Sequence, residues 1–111
     1  MYKDNFYGFA QGAGISIPQF EAKVYDAVRA IPAGKVASYG QLAILAGCPG
    51  RARHAGAALK HAPQGLPCHR VVNSSGRTAP GWIEQADLLK KEGVTFLPSG
   101  RVNMRAHRWM P

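Results

Sequence analysis

The segment from Ser38 to His61 limits the fold more than any other. Ser38 is a good helix N-cap, because a serine hydroxyl accepts a hydrogen bond from an orphan backbone N–H of the first turn. Leu42, Ala43 and Ala46 then fall on one face at helical spacing, and Gly47 closes the run as a C-cap glycine. After Cys48-Pro49-Gly50 a second run, residues 51–61, carries Ala52, Ala55, Gly56, Ala57, Ala58 and Leu59 until Pro63 forbids continuation. Two short helices joined by a glycine-containing turn predict a helix-turn-helix over about residues 38–62.

The flanking segments complete one small domain. Phe20, Val24, Ala27, Val28 and Ile31 recur at spacings of three and four, with Pro18 suited to a first turn and Pro32 to Gly34 as the stop, which predicts a helix of about 13 residues. Residues 1–17 have no stable period and are expected to be a tail or lead-in, leaving residues 18–111 as the single domain. Residues 66–72, with Val71-Val72, predict a short strand or extended piece ended by the turn Asn73-Ser74-Ser75-Gly76. Residues 80–92 predict a last helix with Leu88 and Leu89 on its buried side, closed by Gly93. Residues 94–97 and 101–104, either side of a turn at 98–100, predict a small hairpin. The expected class is mainly α with a small β element, a winged-helix-like DNA-binding domain. A chain of 111 residues has room for one core and no second sizeable domain.

Charge narrows the partner. Fourteen Lys and Arg against six Asp and Glu give a net charge of +8, an excess that favours a polyanion. No window approaches the roughly 20 apolar residues of a membrane span, and Asp4, Asn5 and Gln11 interrupt the N-terminal stretch where a signal peptide would be apolar. The expectation is therefore no membrane association and a cytoplasmic location, at the nucleoid in a bacterium, or the nucleus in a eukaryote. Cys48 and Cys68 are expected to be free thiols, Cys48 as a small turn residue.

Two features carry chemistry. The helix over 51–61 has an unusually small face flanked by Arg51, Arg53, His54, Lys60 and His61. Such a face lets a helix approach a sugar-phosphate backbone closely while the cations neutralise phosphates, although tight helix packing explains the alanines equally well. The second feature is Pro67-Cys68-His69-Arg70-Val71-Val72. A thiolate is a good nucleophile when something lowers its pKa, and an adjacent histidine linked onward to a carboxylate is the usual means. Glu92 is the best such carboxylate by position. An incidental Cys-His pair is the plain alternative, and the scattered Cys and His residues lack metal-ligand spacing, so no metal and no cofactor are expected.

The order Ile31-Pro32-Ala33-Gly34-Lys35-Val36, Ser38-Tyr39-Gly40-Gln41-Leu42-Ala43, Ala52-Arg53-His54-Ala55-Gly56, Pro67-Cys68-His69-Arg70-Val71-Val72 and Leu88-Leu89-Lys90-Lys91-Glu92-Gly93 resembles the C-terminal domain of the O6-alkylguanine-DNA alkyltransferases across about residues 20–96. The resemblance implies a helix-turn-helix in the minor groove of duplex DNA, a flipped O6-alkylguanine, and irreversible, single-turnover transfer of its alkyl group to Cys68. It casts His69 as base through a water, Glu92 as its orienting carboxylate, and Tyr39 as the residue that crowds the target phosphate and donates a proton to the departing guanine. Arg53 takes the place of the finger that fills the vacated stack. Ala52, Gly56, Arg51, Lys60 and Arg70 join Tyr39 and Arg53 on the DNA-facing side, whereas Lys90 and Lys91 are expected to be solvated. The carbonyls of Cys68 and Val71 are expected to read the guanine edge, and Trp82 to line the base pocket, with core packing as its alternative.

Departures point to a related class. Ala62 stands where the family has a hinge asparagine, and residues 77–82 replace a longer Tyr-Ser-Gly-Gly loop. Shortness, this loop and the ending His107-Arg108-Trp109-Met110-Pro111 resemble the single-domain alkyltransferase-like proteins, which bind and flip O6-alkylguanine without repairing it and hand it to nucleotide excision repair proteins. This chain nevertheless keeps Cys68. A methyl-accepting enzyme is one expectation and a damage sensor with a silent thiol the other, either acting as a monomer; a helix-turn-helix regulator would be expected to dimerise, and no dimerisation element is evident.

Overall fold

The computed structural model describes residues 15–111, so most of the expected N-terminal tail lies outside the described residues. The first helix, α1 (Ile17–Ala30), starts earlier than the sequence suggested. Ser16 and Gln19 form a capping box: the Gln19 N–H donates to the Ser16 hydroxyl at 3.2 Å, and the Ser16 N–H donates to Gln19 Oε1 at 2.8 Å. Ile17, Phe20, Val24 and Val28 form its buried stripe.

Strand β1 (Ala37–Ser38) pairs in parallel with β2 (Val71–Val72), Ala37 opposite Val71 and Ser38 opposite Val72. Successive strand residues point to opposite faces, and this pair divides the core in two. Ala37 and Val71 join α1, α2 (Tyr39–Leu45) and α3 (Ala52–Leu59) in one apolar cluster. Val36 and Val72 join Leu89, Val94 and Val102 in the other.

The expected helix-turn-helix is α2 and α3. The Ser38 hydroxyl accepts from the Gln41 N–H at 3.1 Å, as its N-cap role requires. Gly47 and Gly50 take φ of +84° in the turn between the helices, where a side chain would be strained. Cys48 lies in that turn but is a core residue, 3% exposed, so burial pushes its thiol up.

Three other expectations need correction. A 3₁₀ turn, Cys68–Arg70, replaces the first part of the predicted extended piece, because Pro67 leads the chain into an i→i+3 bond between the Arg70 N–H and the Pro67 carbonyl at 3.0 Å. The last long helix, α4 (Glu84–Lys91), begins four residues late, since Pro80-Gly81 forms a turn and Ile83 at its cap position offers no side-chain acceptor. The hairpin is reduced to a single antiparallel bridge, Phe96 with Val102, after which Asn103 caps a short helix, α5 (Met104–His107).

Candidate active site and nucleic-acid interface

The site is built on the two-strand unit. β1 runs directly into Tyr39, the first residue of α2, and the turn carrying Cys68 and His69 runs directly into β2, so pairing of the strands anchors both. Tyr39 and Cys68 pack against the same apolar cluster and are electrostatic neighbours. Burial, and then the Cys68 charge, push the Tyr39 phenol up, so it stays protonated at neutral pH and can donate. Burial pushes the Cys68 thiol up as well. The expectation that His69 lowers it is therefore corrected: the imidazole Nε2 lies 3.0 Å from Glu92 Oε2, which leaves Nδ1 as the ring atom able to exchange a proton elsewhere.

Glu92 is held from two sides. The Arg70 guanidinium donates from Nε to Oε1 at 3.0 Å and from Nη2 to Oε2 at 2.6 Å, a bidentate clamp, and from Nη1 to the Ile31 carbonyl at 2.8 Å. Its hydrogen bonds, joined by the hydrogen bond and the charge of His69, hold the Glu92 carboxyl down to about 2 against the opposing effect of burial. Arg70 was expected on the phosphate-facing side. Its charge is spent inside the protein, where both side chains are only 18% exposed.

The expected small face of α3 opens a cleft of about 740 Å³. Ala52, Gly56 and Ala57 form its floor beside Tyr39, Arg53 and Lys60 supply positive charge, and Ala79 and Pro80 form the facing wall. Arg53 is exposed, as a side chain that enters a base stack must be. Arg51 sits at the α3 cap, close enough to His54 and Cys48 to act on their titration, and does not line the cleft. His54 is buried, and burial together with Arg51 and Arg53 holds its charged form back. Trp82 lines a separate cleft of about 370 Å³ with Arg77, Ile83 and Ala86, which shares Ala79 and Pro80 with the first, and a turn between Ala79 and Trp82 reverses the chain there. Trp109 packs on the α1–α3 core, and its carbonyl accepts from Gln41 Nε2 at 2.8 Å.

Gly56 explains the small face. A Cβ there would lie 3.7 Å from the Tyr39 ring, an ordinary contact, so Gly56→Ala is expected to fold and to gain up to about 1 kcal/mol from helix propensity. Gly56→Leu must displace the ring and is expected to weaken duplex binding at least tenfold while leaving helix content intact. Circular dichroism and a DNA titration of the two variants check this.

The sequence pointed at no role for Gln85. It is fully buried on α4, donating from Nε2 to the carbonyls of His69 at 3.0 Å and Val71 at 2.8 Å and accepting from the Ala79 N–H at 2.7 Å. Its one signal was a polar residue four places before Leu89, on the buried stripe.

Residues 19–94 match the family model of the 6-O-methylguanine DNA methyltransferase DNA-binding domain. The chain is 38% identical over 98 residues to the DNA base-flipping protein of Vibrio parahaemolyticus, covering 84% of this chain and 98% of that protein. The crystal structure of S. pombe Atl1 in complex with damaged DNA containing O6-carboxymethylguanine superimposes with a TM-score of 0.76 at 38% identity, over 87% of this chain and all of that one. The methylated-DNA–protein-cysteine methyltransferase of Salmonella typhimurium is 42% identical over 83 residues, which is 70% of this chain but 48% of that protein. The family match takes in the helix-turn-helix, the Cys68 turn and Glu92 at the end of α4, so the protein belongs to the 6-O-methylguanine DNA methyltransferase family through its DNA-binding domain.

Proposed function

We propose that this chain binds duplex DNA through α2 and α3, turns an O6-alkylguanine out of the stack, and takes its alkyl group irreversibly on Cys68. The Cys68 sulfur attacks the alkyl carbon, the carbon–oxygen bond breaks, and its electron pair passes to the guanine. The thiol proton leaves through a water to His69 Nδ1, while the Tyr39 hydroxyl gives a proton to the departing base. Glu92 holds the imidazole and stabilises the charge it gains. The observation that carries this reading is the adjacency of Cys68 and Tyr39, nucleophile and acid, on one strand pair. The DNA-bound structures of relatives with the same fold support the duplex partner.

The second reading, a sensor that flips the lesion and leaves it for nucleotide excision repair proteins, is favoured by one observation: the thiol is pushed up rather than down. One experiment separates the two. Incubation with duplex DNA containing O6-methylguanine is expected to raise the intact protein mass by one methyl group, and Cys68→Ala is expected to abolish the gain completely. Lesion-selective binding with unchanged mass gives the sensor, and binding that does not distinguish the lesion overturns both readings.

A further inference from the structure

We propose that Gln85 is a positioning residue that sets which O6 substituents the site accepts, by tying the wall of the cleft to the turn that carries Cys68. Its amide is entirely buried and uses donor and acceptor together. Nε2 holds the carbonyls of His69 and Val71, which straddle Arg70 immediately after Cys68. Oε1 holds the N–H of Ala79, and Ala79 with Pro80 is the wall that faces α3 across the cleft. Residues 77–82 contain no helix or strand, so no backbone ladder fixes that wall. A single side chain thus links the wall of the cleft to the nucleophile turn behind it in the chain.

The same amide orients a base-reading group. A carbonyl oxygen has two lone pairs, and Gln85 occupies one on Val71, which fixes the direction in which the other can accept. Packing alone would be served by an apolar residue on the Leu89 stripe; an amide spanning two segments is needed only if their separation matters. This inference rests on the proposed recognition of O6-alkylguanine.

The test measures affinity for three duplexes, carrying guanine, O6-methylguanine and O6-benzylguanine, well below each variant's melting temperature. Gln85→Met keeps the length and loses every hydrogen bond, so the wall is released. The methyl-to-benzyl affinity ratio is expected to move at least threefold toward benzyl, with little change for unmodified duplex. Gln85→Glu retains the acceptor for Ala79 but sets a second acceptor against the His69 and Val71 carbonyls, so it breaks the tie at the other end and is expected to move the ratio in the same direction as Gln85→Met. Leu89→Ala destabilises the same helix without touching Ala79 and is expected to leave the ratio unchanged; Gln85→Leu replaces Gln85→Met if the latter does not fold. An unmoved ratio in the released variant, or an equal shift in Leu89→Ala, overturns the inference alone. Failure of the parent protein to prefer either lesion over guanine overturns the functional reading and the inference with it.

Discussion

Glu92→Gln is expected to lower the melting temperature by about 10–20 °C. Among the described residues, the carboxylate is the only acceptor in contact with both His69 and the Arg70 guanidinium, the latter through a bidentate clamp 2.6 and 3.0 Å long. Removing one partner of a buried ion pair costs about 3–5 kcal/mol because the other charge stays behind unpaired. Here the side chains are 18% exposed, and the glutamine oxygen can still accept one bond, so about 2–3 kcal/mol is the expected loss. The same pair gives the protein an acid limb. Glu92 titrates near 2 in the folded chain and at its ordinary 4.5 when unfolded, so its contribution is fully present above 4.5 and disappears as the pH falls through 2. Denaturant titrations are expected to show stability falling by about 2–3 kcal/mol across that window in the parent protein and a much flatter line in Glu92→Gln. Parallel lines for the two proteins would show that the clamp contributes nothing.

The clamp also shows where charge counting fails. Fourteen cations against six anions point to a polyanionic partner, but not to which cations meet it. Arg70, two residues after Cys68, faces the protein interior, while Arg53 and Lys60 line the open cleft. A formal charge has no direction until the fold gives it one. The Glu92–His69 contact, by contrast, was legible, because the family's ordered segments imply a carboxylate at the end of the last helix and the structure brings that residue to 3.0 Å.

Local signals were readable wherever one residue decides the outcome. Ser38 caps α2, Gly47 closes it, and Pro63 lies beyond the end of α3. The 3₁₀ turn at Cys68 was not readable, since the Val71-Val72 pair announces extended chain and nothing in the preceding residues marks where it begins. Gln85 was missed for a related reason. Its place on the buried stripe was the one sign of burial, and its three partners come from two segments, the Cys68 turn with β2 and the loop at Ala79, that only the folded chain brings together. Cys48 lies in the turn where its neighbours in sequence place it, but its burial to 3% exposure had no local sign.

Cys68 is expected to be a slow nucleophile in the protein without DNA. Its thiol is pushed above the ordinary 9.0, so at pH 7 less than about 1% is thiolate, and labelling by iodoacetamide should rise about tenfold per pH unit up to pH 9. Cys48 is 3% exposed and is expected to label far more slowly; Cys68→Ala provides the blank. Methyl transfer from a bound lesion should behave differently. A proton relay through the His69 Nδ1 generates the thiolate only as the sulfur attacks, so the transfer rate should depend on pH less steeply than labelling does. The difference between the two profiles measures what Glu92 and His69 contribute once the base is in place. A labelling profile that is already flat below pH 8 would mean that the thiol is activated before DNA binds, contrary to its burial. A transfer profile as steep as the labelling profile would remove His69 from the proton path, and absence of transfer at every pH, with lesion binding retained, would leave Cys68 as a side chain that lines the site of a sensor.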